Sequence, residues 1–377
     1  MLISQGASRL LDPQAAVDEA TATWPARPDL VLAFTSPVRS AEGVAAALAQ
    51  RFPDATVVGC TTAGEHLSGR HFEGALVATG VTSDRIQWAA TLVEQLGGCD
   101  PACLRAHVDA LFARLAIDRE EFDPRGYAAL LFIDGLSGRE EQVLPHLAEA
   151  LDGIPLVGGS AGDDLAFHRT EVFCGGRAAT DAAVLVLARA DVPFKIIKHQ
   201  HFVATPRSLA ITRADPRTRR VYEFDGRPAA LAYADAIGVE RVALTDALTF
   251  GHPLTFGCNG ELYVRSIQRV HPDDSITFYC AIEEGMVVDV AAHEDMVDAL
   301  RAGLKPEGDR PADLFIGCNC ILRALEAKAG GHDEAIGAAW QRFARRSIGF
   351  DTYGEQLDGL HINQTVVGLA FWEDRHE

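Results

Sequence analysis

Two segments of this chain share one order of residue types, and both are suited to contacts with a small ligand. Residues 58–65 and 157–164 each follow an apolar stretch and run through small residues to Ala-Gly and a carboxylate. Glycines and other small residues let backbone N–H groups approach a ligand closely. This repetition predicts a pocket built by duplication; the alternative is a pair of tight strand-to-helix turns that hold no ligand. The candidate ligand contacts are Gly59, Thr61, Gly159, Ser160 and Asp163.

A third polar loop follows the apolar stretch at residues 127–134. Ligands of open α/β sheets bind beyond the carboxyl ends of the strands, so Asp134 and Ser137 are candidates to hold a polar group. The alternative is helix capping, in which Glu140 and Glu141 stabilise the positive end of the following helix.

Three histidines lie beside predicted strands. His199 and His201 are two residues apart at a strand end, so alternation places both on one face. His361 precedes the last predicted strand, and Asn363 and Thr365 are close enough in sequence to fix which ring nitrogen faces a ligand. The alternative for each is a structural or exposed histidine.

No catalytic motif is recognisable, so we expect a protein that is not an enzyme. The sequence contains no nucleophile elbow, Walker A motif, dinucleotide fingerprint or H-E-x-x-H. Cys318 and Cys320 form a C-x-C pair without the second pair that a zinc or iron–sulfur site needs. In a chain of this length the scattered cysteines indicate reduced thiols, and we expect Cys99 and Cys103 to pack at a helix start.

Charge and size narrow the class of protein. A net charge of −19 disfavours binding to nucleic acid or to an anionic membrane surface. No apolar run is long enough for a transmembrane helix, and the first residues lack the pattern of a signal peptide. We therefore expect a cytoplasmic protein that binds neither nucleic acid nor membrane.

The pattern of predicted elements favours an α/β to α+β fold with two domains, whose mixed sheets are flanked by helices. A buried strand at residues 29–35 and a helix at 40–50 begin an alternating first half, and strands then cluster until a helix at 229–237. A length of 377 residues also favours two domains. The predicted domains are 1–210 and 211–377.

Several stretches together resemble the FIST family of sensory domains, in both its N-terminal and its C-terminal part. The stretches that carry the resemblance are residues 57–65, 132–141, 155–164, 263–266, 278–285, 315–326 and 349–365. The chain is most similar to stand-alone members of the nitric-oxide-sensing NosP type. The resemblance implies a bacterial signal-transduction protein of the cytoplasm that senses a small ligand.

The NosP type further implies non-covalent haem b as cofactor and nitric oxide as ligand. It implies a histidine kinase, a diguanylate cyclase or a phosphodiesterase as partner. His361 and His201 are the candidate iron ligands, with His361 ranked first, and Arg265 and Arg323 are candidates to bind the propionates. The alternative is a sensory module that binds a small polar metabolite, such as an amino acid, without haem.

Overall fold

A computed structural model describes residues 1–25, 27–258, 260–306 and 310–373. The chain forms two compact units, and in sequence the segments of the second lie between segments of the first. The first unit comprises Met1–His199, Arg301–Leu360 and Val366–Glu377. The second comprises Gln200–Leu300 and His361–Thr365. Residue 210, at which the predicted first domain ends, lies within the strand Phe202–Asp215.

The first unit contains three copies of one arrangement of strands and helices. The first copy consists of β1 (Leu2–Ser8), α1 (Pro13–Ala20), β2 (Leu30–Thr35), α2 (Ala41–Arg51), β3 (Thr56–Thr61), β4 (Glu65–Leu67), β5 (Arg70–Phe72) and β6 (Leu76–Thr82). The second consists of β7 (Ile86–Glu94), α3 (Pro101–Arg114), β8 (Tyr127–Ile133), α4 (Glu140–Leu151), β9 (Leu156–Ser160), β10 (Val172–Cys174), β11 (Arg177–Ala179) and β12 (Ala182–Ala190).

The third copy begins with β13 (Phe194–His199), after which the second unit interrupts it. The elements that follow are β14 (Phe202–Asp215), β15 (Arg220–Phe224), β16 (Arg227–Pro228), α5 (Ala229–Ile237), α6 (Asp246–Gly251), β17 (Leu254–Cys258), β18 (Glu261–Arg265), β19 (Ile267–Val270), β20 (Ile276–Phe278), β21 (Val287–His293) and α7 (Met296–Gly303). Strands β14 to β21 form a sheet of their own, on which α5 packs its apolar face.

The chain then completes the third copy in the first unit. Its remaining elements are β22 (Ala312–Cys320), α8 (Ile321–Gly330), α9 (Asp333–Phe343), β23 (Ala344–Thr352), β24 (Glu355–Leu357), β25 (Leu360–Ile362) and β26 (Val366–Phe371). The predicted class, an α/β to α+β fold with mixed sheets flanked by helices, is confirmed.

The three sheets of the first unit have equivalent strand orders: β1-β6-β2-β3-β10-β11, β7-β12-β8-β9-β24-β25 and β13-β26-β22-β23-β4-β5. In each sheet two parallel central strands are joined through helices, and the last two strands are a short hairpin that belongs to another copy. The central strands are buried on both faces, which explains their unbroken apolar sequences.

Aromatic side chains from all three copies meet in the core of the first unit. Phe34 and Phe132 occupy equivalent positions in β2 and β8, and their ring centroids are 5.4 Å apart. The third copy contributes Phe350, whose centroid lies 4.5 Å from that of Phe34. Pairs at these separations stabilise a core beyond the area that they bury.

The helix starts follow the sequence signals. Asp12, Ser40 and Asp100 cap α1, α2 and α3, because each side chain accepts a hydrogen bond from a backbone N–H in the first turn. Capping by Asp100 also brings Cys103, in the first turn of α3, close to Cys99. Cys99 and Cys103 form a disulfide there across a Cα–Cα distance of 5.5 Å, so the expectation of reduced thiols is wrong for this pair.

The two glycine loops differ from the strand-to-helix alternative. The first loop leads into the hairpin β4–β5 and the second into the hairpin β10–β11. Each hairpin extends the sheet of another copy. Gly59 lies inside β3, where a Cβ atom would overlap the carbonyl oxygen of Ala33 and the ring of Phe173. Close packing of strands therefore explains this glycine.

We predict that Gly59→Ala lowers the free energy of unfolding by about 2 to 3 kcal/mol, because the backbone of β2 has no room for the methyl group. Gly126→Ala is the matched control, since a Cβ at Gly126 meets no atom within 4 Å. Urea unfolding of both variants measures the difference. Equal stabilities of the two variants would contradict the packing explanation.

Candidate functional site

One buried carboxylate connects the first copy to the third. Asp351 lies near the end of β23, and its Oδ1 is 2.7 Å from His66 Nε2 while its Oδ2 is 2.9 Å from His71 Nε2. Asn319, opposite Asp351 on β22, donates from Nδ2 to Oδ1 at 2.7 Å. The carboxylate thus receives hydrogen bonds from both sides.

The hairpin β4–β5 places the two imidazoles. His66 and His71 are directly opposite in the antiparallel register, so their side chains project from the same face. Their ring centroids are 4.8 Å apart, and the ring of Trp340 stacks on His66 at 5.0 Å. Gly349 pairs with His66 on β23, where its lack of a side chain leaves room for the Trp340 ring.

The electrostatics favour an ionised carboxylate at this position. Burial alone would raise the pKa of Asp351, but the charges and hydrogen bonds of His66 and His71 hold that pKa well below its ordinary value. Burial would lower the pKa of His71, but the hydrogen bond and charge of Asp351 raise it overall. Asp351 and His71 therefore stabilise each other as an ion pair.

A cavity of about 370 Å³ opens beside this cluster, a size that suits a small metabolite. Helix α8 presents one face to it, with Ile321, Ala324, Leu325 and Lys328 at helical spacing. The described residues that line the rest of the cavity are Ala63, His71, Glu73, Gly74, Asp164, Leu165, Asp333 and Asp351.

The polar lining is predominantly acidic. Lys328 Nζ is 2.6 Å from Glu73 Oε1, and His71 is paired with Asp351. Asp164 and Asp333 are the lining carboxylates outside these two ion pairs. Asp164 accepts a hydrogen bond from Ser36 at 2.7 Å. Burial raises the pKa of Asp164 above its ordinary value despite that bond. A cationic group in the cavity would relieve the cost of keeping this carboxylate charged.

The predicted contacts Asp134 and Ser137 stabilise their own loop. Asp134 accepts hydrogen bonds from the backbone of Leu136 and Asp181 and from the hydroxyl of Thr170. Ser137 Oγ donates to the backbone oxygen of Asp134 at 2.7 Å. These contacts hold the loop in place, and a ligand role for either residue stays a prediction.

The glycine-loop candidates are buried between copies. Thr61 Oγ1 accepts from the backbone of Glu171 at 3.0 Å, and Ser160 Oγ lies between Glu140 Oε1 at 3.1 Å and Gln356 Nε2 at 2.9 Å. At Gly159 a Cβ would overlap side chains of the third copy.

Asp163 organises the loop that precedes β10. Its carboxylate accepts hydrogen bonds from the backbone N–H groups of Phe167, His168 and Arg169, and from the Tyr353 hydroxyl at 2.5 Å. Its neighbour Asp164 is the residue that lines the cavity. Asp163 thus lies next to a cavity-lining residue and is not itself part of the lining, and a ligand role for it stays a prediction.

The predicted haem residues are divided between the two units. His361, His201 and Arg265 lie in the second unit, where they are 4%, 1% and 4% exposed. Arg265 Nη1 donates to the backbone oxygen of His361 at 3.2 Å, and its guanidinium lies 4.4 Å from the ring centroid of Phe256. Arg323 lies in the first unit, buried, with its Nε 3.4 Å from Asn319 Oδ1.

Sequence reasoning missed His66, His71 and Asp351. A usable signal was present, because Thr62-Ala-Gly-Glu65 and Ser160-Ala-Gly-Asp163 recur as Thr352-Tyr-Gly-Glu355. Aligning these three segments places Asp351 immediately before the third and His66 immediately after the first. The exchange of hairpins that joins them is a long-range pairing that local pattern does not show.

Among the described residues, an acidic cavity thus lies beside the His66–Asp351–His71 cluster, an arrangement that suits a ligand-binding protein. No helix in the described part of the chain is long and apolar enough to span a membrane.

Comparison with known families agrees with that class. The FIST N domain matches residues 29–227 and the FIST C domain matches residues 229–358. The chain belongs to the FIST family, whose domains are sensory ligand-binding modules. The uncharacterized protein MJ1623 of Methanocaldococcus jannaschii is 23% identical over 367 residues, which cover 85% of this chain and 69% of that protein.

We predict that Asp351→Ala lowers the free energy of unfolding by about 3 to 5 kcal/mol, because it leaves buried partners without their carboxylate. Asp333→Ala, in the same cavity, is the control and is expected to change stability by less than about 0.5 kcal/mol. Chemical unfolding at neutral pH measures both. A small effect at Asp351 would show that the cluster does not hold the hairpin.

The ionisation of Asp163 should make part of the free energy of unfolding depend on pH in the acid range. Burial raises its pKa, but the Tyr353 hydroxyl and three backbone N–H groups lower it overall, so the folded protein favours the ionised form. The resulting stabilisation is present above the ordinary value of 3.8 and is lost as the pH falls below it. We predict that wild type is more stable than Asp163→Asn by about 1 to 3 kcal/mol at neutral pH. Urea unfolding should show that difference shrinking below pH 3.8; a constant difference would contradict the assignment.

Proposed function

We propose that this protein senses a small amine-bearing metabolite, such as an amino acid, which binds without haem in the cavity of the first unit. The observation that carries the proposal is the excess of carboxylates in the lining, where Asp164 and Asp333 lie beyond the Lys328–Glu73 and His71–Asp351 pairs. Both residues are open to solvent at the cavity, and an ammonium group at hydrogen-bond distance stabilises such a carboxylate.

The remaining lining fits the rest of such a molecule. Helix α8 begins at Ile321, on the edge of the cavity, and the positive end of a helix favours a ligand carboxylate. Leu165 and Leu325 supply apolar surface for a short side chain. A zwitterion therefore has complementary groups for its ammonium, its carboxylate and its carbon skeleton.

The signalling step requires a second protein. We propose a histidine kinase or a cyclic-di-GMP enzyme as that partner, in agreement with the sensory role of FIST domains. A ligand in the cavity would contact both the loop after β9, which carries Asp164 and Leu165, and the face of α8 that lines the cavity. A change in how firmly these segments are held is the structural response that a partner would detect.

A haem-bound nitric oxide sensor is the second candidate. Its support is that Arg265 and His361, predicted as propionate and iron ligands, are in direct contact within the second unit. Against it, His361 and His201 are buried at 4% and 1% exposure, whereas an axial imidazole must face a space that holds a porphyrin. We therefore rank a metabolite above haem as the ligand of this protein.

We predict that the purified protein, kept in EDTA, gains thermal stability with at least one member of a panel of amino acids and small amines. Asp164→Asn should abolish the shift, because it removes the charge that meets the ammonium group. Asp191→Asn is the control, since its side chain is 92% exposed and outside the cavity. A ligand whose shift survives in Asp164→Asn would contradict the proposed site.

The haem candidate is tested separately by absorption spectroscopy after haem reconstitution. We expect a broad, substoichiometric Soret band that His361→Ala and His201→Ala leave unchanged. A stoichiometric band that moves with nitric oxide and is lost in one variant would replace the metabolite proposal with the haem sensor.

A further inference from the structure

We infer that His66, His71 and Asp351 form a binding site for a divalent transition-metal ion, with open coordination positions that face the cavity. Each residue offers one ligand atom, and these atoms lie within 4.8 Å of one another. Two imidazoles and one carboxylate are a donor set that suits zinc, iron(II) and neighbouring first-row ions.

The present distances between the ligand atoms require only a small movement of the side chains for a metal ion to bind. Ligand atoms at about 2.0 to 2.2 Å from a tetrahedral ion are about 3.4 Å apart, so imidazole shifts of about 1 Å would complete the site. At present each Nε2 is hydrogen-bonded to the carboxylate, at 2.7 Å for His66 and 2.9 Å for His71. A metal ion would replace the protons in these two bonds, with both imidazoles bound in the neutral form.

The surroundings provide the outer contacts that metal ligands require. Asn319 Nδ2 donates to Asp351 at 2.7 Å, and the buried Arg323 orients Asn319 through a 3.4 Å contact to its Oδ1. The ring of Trp340 fixes the plane of His66 by stacking. Contacts of this kind orient ligands and raise metal affinity.

Gly64 keeps one side of the cluster open. A Cβ atom at this position would overlap both Asp351 Oδ2 and His71 Nε2. His71 and Asp351 also line the cavity, whereas His66 lies deeper, against Trp340. Three protein ligands with space beside them are typical of sites that exchange a fourth ligand, as opposed to closed structural sites.

The two other copies show that the fold does not require this donor set. By the register of the hairpin pairing, the position of Asp351 is occupied by Thr61 in the first copy and Ser160 in the second. The position of His66 is occupied by Phe173 in the second copy and Gln356 in the third. Since those hairpins also pair with a neighbouring sheet, hairpin attachment alone does not explain the cluster.

The test is titration of the chelator-treated, full-length protein with Zn²⁺ and, under anaerobic conditions, Fe²⁺, followed by isothermal calorimetry. We expect one ion per chain, and affinity reduced at least about tenfold in each of His66→Gln, His71→Gln and Asp351→Asn. His168→Gln is the matched control, because this exposed histidine lies outside the cluster. Thermal melts establish that each variant is folded.

A second measurement applies to the wild type and therefore does not depend on folding of the variants. Co²⁺ bound at the cluster should give visible absorption bands of four- or five-coordinate geometry, which Zn²⁺ displaces. Failure of the wild type to bind one equivalent of any of these ions would overturn the inference, as would affinity that is unchanged in all three variants. Because the metabolite panel is run in EDTA, either proposal can fail without the other.

Discussion

The structure of the first unit depends on the pairing of each short hairpin with the sheet of another copy. The first hairpin extends the third sheet, the third extends the second, and the second extends the first. Strands of three residues have few backbone hydrogen bonds of their own, so side chains at these junctions determine how firmly the hairpins are held. The three copies thereby form one closed set of contacts, with Phe34, Phe132 and Phe350 in contact at its core.

The same exchange forms the proposed ligand site at one junction. The loops at the three junctions share a hydroxyl residue, a glycine and a carboxylate, and in two of them Thr62 and Thr352 donate to Glu65 and Glu355 at 2.5 and 2.6 Å. These contacts stabilise the fold of the junction loops. The His66–Asp351–His71 cluster is added to only one junction of the three copies, beside the acidic cavity. The proposed ligand recognition therefore belongs to this junction.

Sequence patterns predicted the regular elements well and the site poorly. Periodicity and capping identified α2, α3 and α5, because these signals are local. The hairpins β4–β5 and β24–β25 were missed, since strands of three residues carry too little pattern. His66 and Asp351 are far apart in sequence, and only the pairing of β4 with β23 brings them together. The duplication was recognised from two loops, but Tyr353 in place of alanine concealed the third.

The most direct test of this account is a crystal structure of the protein with a ligand identified by the metabolite panel. The account predicts density in the cavity of the first unit, with the ammonium group against Asp164 and the remainder beside α8. Density beside His361 or His201 in the second unit, with this cavity containing only solvent, would contradict it.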